Sequence, residues 1–260
     1  LENAMTALQI HQFAYNDDNY GVLVHDPKSG ETAAVDAGDA EAYLSAANAK
    51  GWELSQIWIT HHHWDHTDGL AELKEKSGAT VYGPTQKSKP IAGLDVHLSE
   101  GDAVDFAGRK VTILETPGHT LDMINFYLAD DQILFSGDTL FALGCGRIFE
   151  GTAPMMWNSL HKLSKLPAET TVYCSHEYTA ANAKFALSVD PENEALQERA
   201  SQIHALRERG EPTVPFTLEM ELATNPFLRP HDSKIRSQLN MKQHSDEDVF
   251  TEIRKRKDNF

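Results

Sequence analysis

The chain has 260 residues, 40% of them apolar, which suffices for one large packed domain or two modest ones. Its formal charge of −16 disfavours a nucleic-acid partner, which would need a broad basic surface. Two cysteines, Cys145 and Cys174, are too few for a disulfide scaffold and match no zinc-finger spacing, and no apolar run approaches membrane-spanning length. Reduced thiols and the lack of a signal-peptide pattern point to a cytoplasmic protein. Leu1–Ala4, ahead of Met5, read as a cloning remnant outside the fold.

In chain order, the pattern predicts short strands over Thr6–Phe13, Tyr20–His25 and Thr32–Val35, separated by the turns Asn16–Asn19 and Pro27–Gly30. A helix over Ala40–Lys50 starts behind Asp39 as its N-cap. Gln56–Thr60 is apolar and β-branched and reads as a buried strand. A helix is expected after Asp68, and strands at Thr80–Tyr82, Lys110–Glu115, Met123–Leu128 and Gln132–Phe135. Trp157–Lys165 reads as a helix and Thr171–Cys174 as a strand. From Tyr178 the character changes. Ala180–Ser188, Glu192–Arg209, Ser233–Gln243 and Asp246–Arg256 all look helical, punctuated by prolines. The reading is a mixed α/β body over 1–177 and a helical part over 178–260. The first holds 11 Lys+Arg against 25 Asp+Glu, the second 12 against 14.

The most concentrated chemistry lies at His61-His62-His63-Trp64-Asp65-His66, directly after the Gln56–Thr60 strand. With His62 set aside, three imidazoles and a carboxylate on a strand-to-helix loop suit a borderline divalent metal, at the carboxyl end of a strand where α/β sheets place their sites. His62 is a spacer, since alternate residues of an extended loop point opposite ways. Three further strand ends carry a His or Asp within a few residues: His119 after Glu115, Asp138 after Phe135 and His176 after Cys174.

His61-x-His63-x-Asp65-His66 followed by His119, Asp138 and His176 resembles the metallo-β-lactamase superfamily. The resemblance implies an α/β fold, a four-layer αββα sandwich, here with a helical C-terminal domain. It implies that His61, His63 and His119 hold one metal, that Asp65, His66 and His176 hold the other, and that Asp138 bridges both. Within the superfamily the chain is similar to the glyoxalase II family, the hydroxyacylglutathione hydrolases. Thr60–His66, Gly137–Phe141, Gly144–Thr152, His176–Thr179, Asn225–Arg229 and the terminal Arg254-x-x-Lys257-Asp258-x-Phe260 carry that likeness. It implies a catalytic domain over 1–177 and a substrate-binding domain over 178–260.

The family's reaction is hydrolysis of S-D-lactoylglutathione to glutathione and D-lactate by a metal-bridging hydroxide, in methylglyoxal detoxification. The implied cofactors are two divalent ions per chain, zinc first, with iron or manganese as alternatives. Asp65 and Asp138 then have catalytic as well as ligand roles. The likeness places Arg147, Phe149, His176, Tyr178, Arg254 and Lys257 at the glutathione site, with Phe149 standing where many members carry tyrosine. Arg254 and Lys257, three apart on a helix, would fork onto a substrate carboxylate. Cys145, in a Gly-Cys-Gly turn, reads as a small residue in a tight loop rather than a nucleophile. Beyond the glutathione thioester, no nucleic-acid or membrane partner is expected, and the chain is taken as a monomer. The alternatives are an iron-dependent sulfur dioxygenase acting on glutathione persulfide, a nuclease of the same fold, and a metal-holding protein without activity.

Overall fold

The computed structural model describes residues 6–260, so the reading of Leu1–Ala4 lies outside the described residues. The chain divides into two compact units. The first runs to Glu115 and includes Asp122–Phe135; the second comprises Thr116–Leu121 and Ser136–Phe260.

The first unit opens with the antiparallel strands β1 (Gln9–Tyr15), β2 (Asn19–His25) and β3 (Thr32–Val35). Helix α1 (Ala40–Lys50) crosses over to β4 (Gln56–Trp58), which pairs parallel to β3. Asp39 caps α1 through a 3.0 Å bond from the Ala42 amide to its carboxylate, and Gly51 ends it at φ 69°. The single turn α2 (Trp64–Thr67) and then α3 (Leu70–Ser77) lead to β5 (Thr80–Pro84) and β6 (Val96–Leu98), both parallel additions to the same sheet.

Alternation within β4 organises the layers. Ile57 and Ile59 face α1 and α3, in a core with Tyr43, Leu70, Leu73 and Val81. Trp58 points the other way, onto the strands β7 (Ala103–Phe106), β8 (Arg109–Glu115), β9 (Ile124–Leu128) and β10 (Ile133–Gly137), an antiparallel meander. Its indole stacks on Phe126 at 5.4 Å and meets Phe106 and Phe135 edge-on. A strand buried on both faces needs an unbroken apolar run, and that is how this segment reads. Buried Arg109 joins the layers through Asp26 (2.9 Å) and Asp131 (3.1 Å).

The second unit holds the two-residue strands β11 (Leu140–Phe141) and β12 (Gly144–Cys145), α4 (Ala153–Leu163) and β13 (Thr171–Cys174). Then come α5 (Thr179–Val189), α6 (Glu194–Glu208), the short strand β14 (Phe216–Thr217), α7 (Leu218–Thr224), a 3-10 turn at Pro226–Leu228, α8 (Ser233–Gln238) and α9 (Asp246–Asp258). The helix expected over Ser233–Gln243 stops early because Asn240 turns left-handed, at φ 57°. No helix among the described residues is long and apolar enough to cross a membrane.

Candidate metal centre

In the first unit the loop after β4 delivers His61 and His63, and α2 adds Asp65 and His66. His63 enters α2 in extended conformation, and the His66 amide bonds back to its carbonyl at 3.0 Å. The Ile124 amide bonds the Thr60 carbonyl at 3.1 Å, tying the start of this loop to β9. His61 Nε2 lies 3.1 Å from His63 Nδ1, and His66 Nε2 lies 3.3 Å from Asp65 Oδ2. His61 and His66 are fully buried. His62 belongs to none of the potential donor groups among the described residues.

The far side of each ring sets which nitrogen is offered. Asp36, at the end of β3 with φ 61°, accepts the Thr60 amide at 2.7 Å and sits 2.8 Å from His66 Nδ1. The Thr60 hydroxyl donates to Asp36 (2.9 Å) and lies 3.0 Å from His61 Nδ1. This network assigns the protons of His61 and His66 to Nδ1, so both present an Nε2 lone pair.

In the second unit Asp138 follows β10, and its Oδ2 lies 3.3 Å from both His119 Nε2 and His176 Nε2. All three side chains are buried. His119 Nδ1 donates to the Arg147 carbonyl at 2.7 Å, which again turns Nε2 inward. Gly146 is obligatory here, because a Cβ would come within 2.0 Å of the Asp138 carbonyl. Tyr178 stacks on His176 with ring centroids 4.7 Å apart, and Phe149, largely exposed, meets the edge of His119 at 5.3 Å.

Donor separations of 3.1–3.3 Å within each set match the chemistry of shared ions. Tetrahedral ligands about 2.0 Å from a zinc-sized ion stand roughly 3.3 Å apart. Imidazole and carboxylate without thiolate suit zinc, iron or manganese alike.

A cationic group occupies the same unit. Arg147 is exposed, with Nε 3.7 Å from Asp258. Lys257 sits 5.8 Å over the Phe185 ring, and burial, then Arg254 and Arg147, lower its pKa. Arg254 differs from the two-pronged arrangement expected with Lys257. It is buried, donates to the Cys145 carbonyl at 2.9 Å and to Asp258 at 2.6 Å, and lies over Phe227. Burial pushes the Cys145 thiol up to about 11, against a weaker opposite pull from Arg254. A neutral, buried thiol is no nucleophile at neutral pH.

Comparison with known proteins decides the family. Residues 19–176 match the metallo-β-lactamase superfamily model, and residues 177–260 match the hydroxyacylglutathione hydrolase C-terminus model. The chain is 50% identical to hydroxyacylglutathione hydrolase of Maricaulis maris and 52% identical to that of Rhizobium meliloti. Each match covers 98% of this chain and 100% of the relative. The chain belongs to the hydroxyacylglutathione hydrolase family of the metallo-β-lactamase superfamily. Its fold class is therefore the αββα sandwich of that superfamily followed by a helical C-terminal part. The crystal structure of ETHE1 from Myxococcus xanthus agrees in fold, with a TM-score of 0.69 at 24% identity over 95% of this chain and 90% of that one.

In kind and number, the seven donors fit a binuclear divalent metal site of this superfamily. Two supporting features escaped the sequence reading: Asp36 and the hydroxyl role of Thr60. For Asp36 a signal existed. It follows the apolar run Ala33-Ala34-Val35, the same placement that marked His119, Asp138 and His176.

Proposed function

We propose that this chain hydrolyses the thioester of S-D-lactoylglutathione and related S-(2-hydroxyacyl)glutathiones to glutathione and a 2-hydroxy acid, D-lactate in the first case. This is the hydrolytic step of methylglyoxal detoxification. The observation that carries the reading is identity of 50–52% to hydroxyacylglutathione hydrolases along essentially the whole chain. The largely buried His and Asp sets support it.

His61, His63 and His119 would hold one ion, Asp65, His66 and His176 the other, and Asp138 both. When bound, the pair supplies an activated water at neutral pH and polarises the thioester carbonyl. The rest falls to the protein. Asp36 and the Arg147 carbonyl keep imidazole protons on Nδ1, away from the ions. Asp65 is ligand first and acceptor for the attacking water second. The glutathione thiolate is a good leaving group, so no protein acid is required.

Residues 1–177 form the catalytic part and 178–260 the substrate-binding part. Arg147, Phe149, His176, Tyr178, Arg254 and Lys257 form the glutathione subsite. There Arg147 and Lys257 counter the substrate carboxylates, and Arg254 acts largely through the Cys145 carbonyl and Asp258 that it holds. Zinc is the proposed metal, the monomer the working unit, and the cytoplasm the location, consistent with two free buried thiols.

The test is to measure metal content alongside ultraviolet loss of the lactoylglutathione thioester. The expected result is one thiol released per thioester lost, abolished by a chelator and restored by zinc. Oxygen uptake with glutathione persulfide and an intact thioester would overturn the reading in favour of a sulfur dioxygenase.

A further inference from the structure

Within the first unit, Asp65 is held by its backbone and by its side chain, and different residues do each. The Tyr15 hydroxyl donates to the Asp65 carbonyl at 2.7 Å. Gly38 lies so close to the same carbonyl that a Cβ would come within 1.9 Å of it. These contacts place the main chain. The torsion that turns a carboxylate is broad and roughly two-fold, so backbone placement alone does not choose its orientation.

Asn19 supplies that choice. Its Nδ2 donates to Asp65 Oδ2 at 3.0 Å, and that oxygen is the one 3.3 Å from His66 Nε2. Asn19 is itself fixed. It is buried, opens β2 opposite Tyr15, and its Oδ1 accepts from Asn16 Nδ2 at 3.4 Å. Asn16 takes the left-handed turn, with φ 49°, that brings the two amides together. With its oxygen turned to Asn16, the Asn19 amide can only present N–H to Asp65. A carboxylate oxygen has two lone-pair directions. Asn19 approaches along one, and His66 Nε2 lies 3.3 Å from the same oxygen.

We infer that Asn19 is a positioning residue for this reaction, orienting the Asp65 carboxylate so that Oδ2 and His66 Nε2 face one ion together. The inference rests on the binuclear reading above. Hydrogen-bond partners that orient ligands typically govern 10- to 100-fold in metal affinity.

The experiment compares the full chain with Asn19→Ala and with Asn19→Leu, which keeps the volume but has no donor. Zinc affinity at each site is read by competition with a chromophoric chelator, and geometry by the visible spectrum of the cobalt-substituted protein. Both variants are expected to bind one of the two zinc ions 10- to 100-fold more weakly and the other within about three-fold. The cobalt spectrum shifts, and kcat for lactoylglutathione falls while KM stays within about three-fold. Wild-type zinc affinities and an unchanged spectrum in both variants would overturn the inference. So would a loss in Asn19→Ala that Asn19→Leu restores, because that marks a packing role. If Asn19→Ala fails to fold, Asn19→Leu decides alone, and failure of both to fold assigns Asn19 to structure. A wild-type chain holding fewer than two zinc ions defeats the binuclear reading itself, a result visible without any variant.

Discussion

Asp36 shows how much of a metal site can rest on a residue that is not itself a ligand. One carboxylate accepts the Thr60 amide and hydroxyl and faces His66 Nδ1, so it organises the start of the metal loop and its end together. Asp36→Asn keeps the shape and tolerates the left-handed backbone, but it replaces one acceptor oxygen with a donor. The expected result is about 10- to 100-fold weaker metal binding by chelator competition. The metal-free protein should also lose roughly 1–3 kcal/mol in thermal melts, from buried donors left unmade. The cations divide in a similar way. Lys257→Ala should raise KM about ten-fold with kcat within about two-fold, because it removes binding to an unreacting part of the substrate. Arg254→Ala should instead cost stability, about 2 kcal/mol, since it strips the Cys145 carbonyl and Asp258 of a buried donor. Steady-state kinetics and denaturant titration on both variants separate these outcomes, and a pure kcat loss in Lys257→Ala would contradict the assignment.

At the scale of elements, the hairpin of β11 and β12 depends on residues far along the chain. Its turn forces Leu143 to φ 56°, and its carbonyls at Phe141 and Gly144 are held by Asn225 Nδ2 at 3.3 and 3.0 Å. Glu221, fully buried, accepts Leu143 N at 2.8 Å and Asn225 Nδ2 at 2.9 Å, and Arg199 pairs with it. Asn225→Ala should therefore destabilise the fold by about 2–4 kcal/mol in urea titrations, through several orphaned buried groups at once. Substrate turnover should fall with it, because Asp138 and Arg147 flank the hairpin in sequence. This dependence explains what could be read in advance. The strand that leads into His61 was legible, because burial on both faces leaves an unbroken apolar run, as at Gln56–Thr60. The two-residue strands were not, because Leu140–Phe141 and Gly144–Cys145 owe their shape to an asparagine some eighty positions away. β6 was missed for another reason: Val96 and His97 are exposed, so no alternation marks it. The candidate metal donors stood out by residue type, whereas Asn19 and Tyr15, ordinary polar residues near a turn, declare themselves only through their contacts with Asp65.

For the whole molecule, alkaline pH is the condition that exposes what the cores contain. Each unit buries an acid in its neutral form. Burial holds the Tyr43 phenol well above its usual value in the first unit and lifts the Cys145 thiol from 9.0 to about 11 in the second. A group whose folded pKa is raised binds its proton more tightly in the folded state. The unfolded chain gives up its protons first, so stability is complete below the unfolded pKa and declines as pH rises towards the folded one. For Cys145 that window runs from about pH 9 to about pH 11. Tyr43 begins to add to it near pH 10, its ordinary value. A second force acts in the same direction: the chain already carries −16, and loss of lysine protons increases its self-repulsion. Salt separates the two, since it screens the repulsion between surface charges and leaves a buried thiol untouched. Thermal melts from pH 7 to 11 at low and high salt should show a decline above pH 9 that salt only partly restores. The salt-resistant part should shrink in Cys145→Ala, whose activity at neutral pH should stay within about three-fold of wild type because a protonated thiol takes no part in the chemistry. A Cys145→Ala melt that follows the wild-type pH dependence throughout would show that the thiol is not what alkali attacks.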